Sequence, residues 1–382
     1  MTEPISRSRK LLFVVLLAGI VLLSVEIPLQ LYYRLTAGEW LFWRTQPPIF
    51  VADATRCYRV KSNLDYEHRT NEFAIHIYTN AQGFRTDAAR APARFEKPAD
   101  VYRVLFLGPS FAFGWGSDYE ETYAARIASG LRVPGKRVEL INVGTPGQPP
   151  PHQMCWFERE GYRYQPDLVV QTSYGNRMGP MSNACPQQLT CPTVEDSLIY
   201  FGRPTPWLRM TSIVKNLGSV FYGFYLYNTL VSQPTNPRVG MGKELYDPAG
   251  EAQADDLPAI QQSYLGLVEF VRRLAGEHTK VAVVHLPLSF QVHPGDRARW
   301  KHIIEVDPDE ELASTRASIA ALRSVGIVMI DPIDALLAAA GRERQYFWLD
   351  IHLTPAGNQT VANAALPVLQ QLVLEDGAAH QR

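Results

Sequence analysis

The sequence lacks several features that would assign it at once to a common class of protein. No run of like charge occurs in its 382 residues, and the formal net charge is −1. Because nucleic-acid binding requires a clustered basic surface, this balance argues against a nucleic-acid partner. The four cysteines include no Cys-x-x-Cys pair, which argues against a zinc knuckle or a thioredoxin-like site.

Glycine-rich nucleotide-binding motifs are missing as well. A phosphate-binding P-loop requires Gly-Lys-Ser or Gly-Lys-Thr, and the glycine-rich stretch between Gly108 and Gly116 contains neither. The dinucleotide motif Gly-x-Gly-x-x-Gly fails at the same place, since Gly114 and Gly116 are followed by Tyr119 where the third glycine belongs. Neither class of nucleotide site is therefore predicted.

The N-terminus combines a basic start with a long apolar segment. Three basic residues between Arg7 and Lys10 precede an apolar run over residues 11–25, and apolar residues resume after Glu26. A bilayer core requires about 20 apolar residues, which the segment supplies once the part after Glu26 is included. We therefore predict a single transmembrane anchor over residues 11–33.

The same segment predicts where the chain resides. Basic residues before a transmembrane helix stay on the cytoplasmic side, so residues 1–10 are expected in the cytoplasm. The rest of the chain is then expected beyond the inner membrane, in the periplasm. A cleaved signal peptide and a buried core helix are the alternatives. The stretch from Leu23 to Glu26 is a poor match to a signal-peptidase site, which favours the anchor.

Cysteine usage fits an exported protein. Cys185 and Cys191 bracket a short loop, and we take them as the candidate disulfide of an oxidising compartment. Cys57 and Cys155 are far apart in the sequence, which does not decide whether they pair.

A strand–helix alternation begins at Val101 and indicates the fold. The predicted strands, each a continuous apolar stretch, are 102–107, 138–143, 168–173, 280–286 and 326–330. Such strands, separated by helices, are typical of a parallel sheet covered on both faces, and this kind of sheet binds its ligand at the carboxyl ends of its strands. The sequence therefore predicts an α/β fold, with three α/β/α layers and five parallel strands, over residues 101–376.

Two segments fall outside this alternation. Residues 34–100 are irregular apart from an alternating stretch at 72–78 that is typical of a strand, and we expect a membrane-proximal lead-in packed on the main domain. Residues 178–257 form an insertion between the third and fourth strands. An insertion there would rim the ligand-binding edge, so a role in substrate choice and a purely structural role are both open.

The first candidate site residue is a serine at a strand end. The strand predicted at 102–107 leads into Gly108, and Ser110 follows on a tight loop before a helix. This placement exposes a hydroxyl at the carboxyl end of the sheet, with a backbone N–H beside it that suits an oxyanion. The pattern predicts that Ser110 is a nucleophile.

The second candidate site is a histidine near the C-terminus. His352 lies just before a predicted helix at 355–374, and Asp350 lies two residues earlier. A serine hydroxyl is a poor nucleophile unless a neighbouring imidazole takes its proton, and a carboxylate can orient that imidazole. We therefore predict His352 as the base for Ser110 and Asp350 as the residue that orients it.

Two further strand ends carry hydrogen-bond donors. Gly144 follows the strand at 138–143, and Asn176 follows the strand at 168–173. Together with the N–H of Ser110, the N–H of Gly144 and the side-chain amide of Asn176 predict an oxyanion hole, in which each donor is worth about 3–4 kcal/mol in the transition state.

In order and placement these residues resemble the SGNH/GDSL hydrolase family. The four sequence blocks of the family correspond here to the Gly-Pro-Ser that ends at Ser110, to Gly144, to the Asn176 region and to the Asp-Ile-His that ends at His352. The resemblance implies a flavodoxin-like sheet, a serine nucleophile with a histidine base and an aspartate partner, and neither a metal nor an organic cofactor. It also implies an ester-bearing substrate, which would be a small molecule, a lipid or an acylated glycan.

Two positions depart from the pattern of the family. Pro109 replaces the aspartate of the first block, which fixes φ near −65° and removes one N–H but leaves that of Ser110. Arg177 replaces the acidic residue that follows Asn176. Its positive charge either attracts an anionic substrate or pairs with a local carboxylate.

Three functions are compatible with these residues. The first, which we take as the leading prediction, is a membrane-tethered serine esterase or acyl hydrolase acting outside the cytoplasmic membrane. The second is an O-acetyltransferase, which would pass the acyl group from the same acyl-enzyme to a cell-envelope polysaccharide. The third is a catalytically silent carbohydrate-binding or scaffold protein, for which Pro109 and Arg177 are the evidence.

Overall fold

The strands of the chain form one large sheet and one separate hairpin. The computed structural model describes residues 7–37, 40–41, 49–70, 72–175, 178–189, 191, 214, 217–223, 256–296, 308–348 and 350–379. The strands within these ranges are β1 (Phe50–Asp53), β2 (Cys57–Val60), β3 (Asp65–Arg69), β4 (Ala74–Thr79), β5 (Arg85–Thr86), β6 (Val101–Leu107), β7 (Arg137–Asn142), β8 (Leu168–Tyr174), β9 (Lys280–Leu286) and β10 (Val328–Ile330). Strands β1 and β2 pair with each other, and the other eight lie in the order β10-β9-β8-β6-β7-β5-β4-β3.

Helices connect most of the strands of the large sheet. The α-helices of the described residues include α1 (Arg7–Ala37), α2 (Ser110–Phe113), α3 (Tyr123–Gly130), α4 (Pro150–Arg159), α5 (Leu257–Ala275), α6 (Ser289–Val292), α7 (Pro308–Ser324), α8 (Ile333–Ala340) and α9 (Pro355–Ala379). A further short helical stretch covers residues 218–223. Most of the predicted insertion at 178–257 lies outside the described residues.

The five predicted parallel strands are confirmed. Strand β6 runs parallel to β7 and β8, β8 to β9, and β9 to β10. Numbered along the chain, the five lie in the order 2-1-3-4-5, which is the flavodoxin-like order, and ligands bind such sheets where the strand order reverses, between β6 and β8. All seven residues of β6 are buried, which explains why a continuous apolar run marks this strand in the sequence.

Helices cover both faces of the parallel strands, as predicted. On one face α4, α5 and α7 pack against a set that includes Leu105 and Val283. On the other face α3, α8 and α9 pack against a set that includes Val104 and Phe106. Successive residues of β6 therefore enter opposite cores, as the geometry of a strand requires.

Three antiparallel strands extend the sheet beyond the predicted five. Strand β5 pairs with β7 through Arg85 and Asn142, β4 pairs with β5, and β3 pairs with β4. The strand predicted at 72–78 corresponds to β4. Strands β3, β4 and β5 of the lead-in therefore continue the same sheet, whereas its β1–β2 hairpin is a separate element that shares a hydrophobic cluster with Phe113 of α2. Strand β5 has only two residues, too few to leave a pattern in the sequence.

Helix α1 contains the apolar N-terminal segment. Its stretch Arg7–Leu35 is long and apolar enough to cross a membrane, and its most apolar window is 6% buried. A membrane span and a signal sequence both fit these properties.

The predicted pairing of Cys185 with Cys191 is wrong. The structure pairs Cys57 with Cys191 and Cys155 with Cys185. The fold brings the start of β2 and helix α4 next to the loop that carries the two later cysteines, and proximity along the sequence could not show this. The segment after β8 is therefore fastened to the β1–β2 hairpin and to α4.

Candidate active site

Ser110 is the first residue of α2, directly beyond the carboxyl end of β6. Gly108 has a φ of +153°, and a Cβ there would lie 2.7 Å from Thr172 Cβ, so glycine is required for this close approach to β8. Pro109 has a φ of −80°, which suits its ring, and its carbonyl accepts the N–H of Phe113 at 3.1 Å. Proline in place of the aspartate of the family is thus compatible with the geometry of this loop.

His352 lies against Ser110 although 242 residues separate them in the chain. The distance from His352 Nε2 to Ser110 Oγ is 2.5 Å, and the distance from His352 Nδ1 to Asp350 Oδ1 is also 2.5 Å. The Asp350 carboxylate accepts the backbone N–H of His352 as well, at 2.9 Å. One imidazole nitrogen therefore faces the serine and the other faces the aspartate, which is the geometry needed to remove the serine proton.

Burial and neighbouring charge determine the state of Asp350. Burial raises the pKa of its carboxyl group, but the adjacent His352, its hydrogen bonds and the more distant His68 outweigh that effect. The net pKa of Asp350 lies below its ordinary value. Asp350 is therefore ionised at neutral pH and presents a negative charge to the imidazole.

The three predicted oxyanion donors differ in whether their hydrogen bonds are already made. The N–H of Ser110 lies at the first position of a helix, where no intrahelical acceptor exists, and nothing else in the described part of the chain accepts it. The N–H of Gly144 departs from the expectation, because it donates to Asn142 Oδ1 at 3.0 Å. Asn176 and Arg177 lie outside the described residues. One of the three donors is therefore seen open to a ligand.

Gly144 and Asn142 instead hold α2 in place. A Cβ at Gly144 would lie 2.3 Å from the backbone nitrogen of Phe113, so a side chain at 144 would push α2 away from the sheet. Asn142 Nδ2 donates to the carbonyl of Ala112 at 2.7 Å. This strand end therefore fixes the helix on which Ser110 stands.

Two aromatic rings that follow Ser110 pack near the imidazole of His352, and rings from two other parts of the chain pack on them. The centroid of the His352 ring lies 4.8 Å from that of Phe111 and 6.3 Å from that of Trp115. Tyr174 packs on Phe111 at 4.9 Å, and His68 of β3 lies 4.9 Å from Trp115. The lead-in thus contributes to the wall of the site, which its irregular sequence did not indicate.

Glu72 is a second residue of the lead-in that the sequence analysis missed as part of the site. Its carboxylate accepts the backbone N–H of Trp348 at 2.6 Å and that of Asp350 at 2.8 Å. In the sequence Glu72 is only the first residue of a strand-like pattern, 278 residues from Asp350, and no local signal indicates a partner at that distance.

Comparisons with known proteins return structural similarity only. No protein-family model matches the chain, and no curated protein matches it. An alpha/beta hydrolase enzyme from the metagenome of Lake Arreo in Spain is 16% identical, with a TM-score of 0.35 over 72% of this chain and 96% of that one. An acetylxylan esterase from Geobacillus stearothermophilus is 13% identical, with a TM-score of 0.36 over 70% of this chain and 93% of that one. A member of the lipolytic protein G-D-S-L family from Veillonella parvula is 14% identical, with a TM-score of 0.33 over 70% of this chain and 97% of that one.

At these identities and TM-scores, the likeness carries no information about the reaction of this chain. The chemistry of this chain therefore has to be inferred from its own residues. Within the described residues, no cluster of three or more His, Cys, Asp or Glu side chains could hold a metal ion.

Proposed function

We propose that the chain is a serine esterase or acyl hydrolase of the SGNH/GDSL type, acting outside the cytoplasmic membrane. The observation that carries the proposal is the hydrogen-bonded series Asp350–His352–Ser110, with both nitrogen–oxygen distances at 2.5 Å. It lies beside β6 at the carboxyl edge of a 2-1-3-4-5 sheet, the place where this fold binds ligands.

The proposed reaction proceeds through an acyl-enzyme. Ser110 Oγ attacks the carbonyl carbon of an ester while His352 Nε2 takes the serine proton and then gives it to the departing alcohol. Water attacks the acyl-enzyme by the same route, which releases the acid and restores the hydroxyl. Asp350 keeps the imidazole oriented throughout. The N–H of Ser110 stabilises the oxyanion, and we propose Asn176 as a second donor.

We propose further that α1 is a retained anchor and not a cleaved signal peptide. Glu26 is 7% exposed within this apolar helix, and its carboxylate accepts the N–H groups of Gly218 at 2.5 Å and Ser219 at 2.9 Å. Tyr33 is fully buried, with its ring centroid 5.7 Å from that of Phe221. Removal of α1 would leave the N–H groups of Gly218 and Ser219 and the ring of Phe221 without these partners. We therefore propose an inner-membrane anchor with a periplasmic catalytic domain.

The proposed substrate is an ester on a small molecule, a lipid or a glycan. Transfer of the acyl group to a sugar hydroxyl would use the same Ser110, His352 and Asp350, so an O-acetyltransferase differs from the hydrolase only in the acceptor. Hydrolysis is the simpler proposal, and the experiment includes an acceptor to test the other.

The full chain, solubilised in detergent, is to be treated with a fluorophosphonate probe and assayed with a chromogenic acetate ester. We expect covalent labelling that maps to the peptide containing Ser110 and is abolished in Ser110→Ala, with a loss of turnover of at least about 10³-fold. Ser129→Ala is the matched control, since this exposed serine lies on α3, away from the sheet edge.

The possible results separate the three functions. A folded wild type that is neither labelled nor active would overturn the enzyme and favour a silent binding protein. Faster release of the acyl group when a polysaccharide acceptor is added, with the acyl group recovered on the glycan, would show transfer instead of hydrolysis.

A further inference from the structure

The loop that carries Asp350 and His352 is held by a part of the chain far from it in sequence. The backbone N–H groups of Trp348 and Asp350 both donate to the carboxylate of Glu72, at 2.6 Å and 2.8 Å. Glu72 lies between β3 and β4, in the antiparallel extension of the sheet. One side chain therefore fixes the loop on both sides of residue 349, immediately before the catalytic pair.

Ring packing fastens the same loop at the neighbouring residue. The ring centroid of Phe347 lies 5.1 Å from that of Phe73, which directly follows Glu72. On its other side, a Cβ at Gly116 would lie 2.5 Å from Phe347 Cε2, so the ring fills the space against the backbone of the serine loop. The connection between β3 and β4, the segment that follows Ser110 and the loop that carries His352 thus meet at Phe347.

Within the described residues, the loop that carries Asp350 and His352 (the histidine loop) has its other contacts at its base, at the ring of Trp348 and at the imidazole of His352. It is closed at its base by the N–H of Phe347, which donates to the carbonyl of His352 at 3.0 Å. Between these residues, the Trp348 side chain is 38% exposed, and the guanidinium carbon of Arg344 lies 4.8 Å from the centroid of its ring. A carboxylate that accepts two backbone N–H groups forms charge-assisted hydrogen bonds, which are stronger than the bonds to water that would replace them.

We propose that Glu72 is a positioning residue for catalysis, which sets the backbone from which Asp350 orients His352; this rests on the proposed function of those residues. Displacement of a catalytic group by about 1 Å lowers a rate by on the order of 100-fold. Loss of the carboxylate therefore acts on the chemical step through Asp350, without any contact between Glu72 and the substrate. The connection between β3 and β4 would then contribute to catalysis in addition to extending the sheet.

The test compares Glu72→Ala and Glu72→Gln with the wild type in the full chain. We expect Glu72→Ala to lower kcat about 10- to 100-fold, with KM for a chromogenic acetate ester changed by less than about twofold. We expect Glu72→Gln to be intermediate, because its amide oxygen can accept one of the two N–H groups. Glu67→Gln is the matched control, since it removes an exposed carboxylate from the adjacent strand β3, and its kcat should equal that of the wild type.

A double-mutant cycle with Asp350→Asn separates positioning from general destabilisation. If Glu72 acts through Asp350, adding Glu72→Ala to Asp350→Asn lowers the rate of fluorophosphonate labelling by less than about threefold. An undiminished additional loss would overturn the proposal. So would a Glu72→Ala enzyme with the kcat of the wild type, or one in which only KM rises.

Two readouts keep this inference distinct from the proposed function. The melting temperature shows whether Glu72→Ala folds. If it does not, the near-isosteric Glu72→Gln is compared with the wild type instead, and a wild-type kcat in that variant overturns the proposal. A wild type without labelling at Ser110 would remove the proposed function and this inference together. A labelled wild type whose rate is matched by both Glu72 variants would remove this inference alone.

Discussion

Two serine–histidine pairs lie at the carboxyl edge of the central sheet. In the first, Ser110 Oγ is 2.5 Å from His352 Nε2; Ser110 begins α2 just beyond β6, and His352 lies on the loop before α9. In the second, Ser173 Oγ is 3.1 Å from His285 Nδ1, on the adjacent strands β8 and β9, where the two residues are paired in register. By distance alone, both pairs could support nucleophilic catalysis.

A carboxylate and access to solvent distinguish the two pairs. Asp350 contacts the second nitrogen of His352, and Ser110 is partly exposed. His285 is fully buried, and its Nε2 has no hydrogen-bond partner of ordinary geometry within the described residues. Burial lowers the pKa of His285 to about 4, against a smaller opposing effect of the Gly175 backbone. A serine–histidine contact is therefore a structural hydrogen bond unless a carboxylate orients the imidazole and a substrate can reach the hydroxyl.

The largest expected effect is on activity and belongs to the first pair. Replacing His352 by alanine should lower kcat/KM for a chromogenic acetate ester by about 10⁴- to 10⁶-fold, because Ser110 loses the base that takes its proton. The melting temperature should fall by no more than about 5 °C, because the buried imidazole is lost from one loop while the parallel sheet and its covering helices keep their contacts. Steady-state kinetics and calorimetry on the same sample measure both. A variant that retains a tenth of the wild-type activity would show that another group is the base.

The second pair should respond in the opposite way. We expect His285→Asn to lower the free energy of unfolding by about 1–3 kcal/mol, because a buried imidazole is lost from its contact with Ser173 and a smaller side chain fills its place. The value of kcat for folded enzyme should change by less than about threefold. Urea unfolding and active-site titration with a fluorophosphonate test these expectations. A large loss of kcat with unchanged stability would mean that the second pair takes part in the reaction, and that His285 is not a structural residue.

Features recorded in one continuous stretch of sequence could be predicted. The burial of all seven residues of β6 leaves an unbroken apolar run, and the tight loop after it requires Gly108 before Ser110. The Asp-x-His spacing likewise places Asp350 and His352 on one loop. The five parallel strands followed from runs of this kind, and the meeting of the two loops followed from the rule that carboxyl ends share one edge.

Features that depend on contacts between distant segments could not be predicted. Cys57 pairs with Cys191 across 134 residues, whereas the nearer Cys185 had been expected as the partner of Cys191. Glu72 reaches the histidine loop across 278 residues to Asp350, and nothing in its neighbourhood differs from an ordinary strand start. The N–H of Gly144 donates to the side chain of Asn142. A glycine after a strand does not indicate which acceptor its N–H will bond to.

The buried histidine should also make the free energy of unfolding depend on pH. The pKa of His285 is about 4 in the folded chain against an ordinary value of 6.5. Between these values the unfolded chain binds a proton that the folded chain does not, so the free energy of unfolding falls as the pH is lowered from about 6.5 toward 4 and is unaffected above that range. The slope is at most about 1.4 kcal/mol per pH unit.

His285→Asn lacks this ionisation. The difference in free energy of unfolding between wild type and variant therefore reports the titration of His285 alone. The stability advantage of the wild type in urea unfolding should shrink by roughly 2 kcal/mol between pH 7.5 and pH 5.0. An advantage that stays constant over this range would mean that the folded chain accepts the proton at His285. The second pair would then be open to water like the first, and burial could no longer explain why only one of the two pairs is proposed to be catalytic.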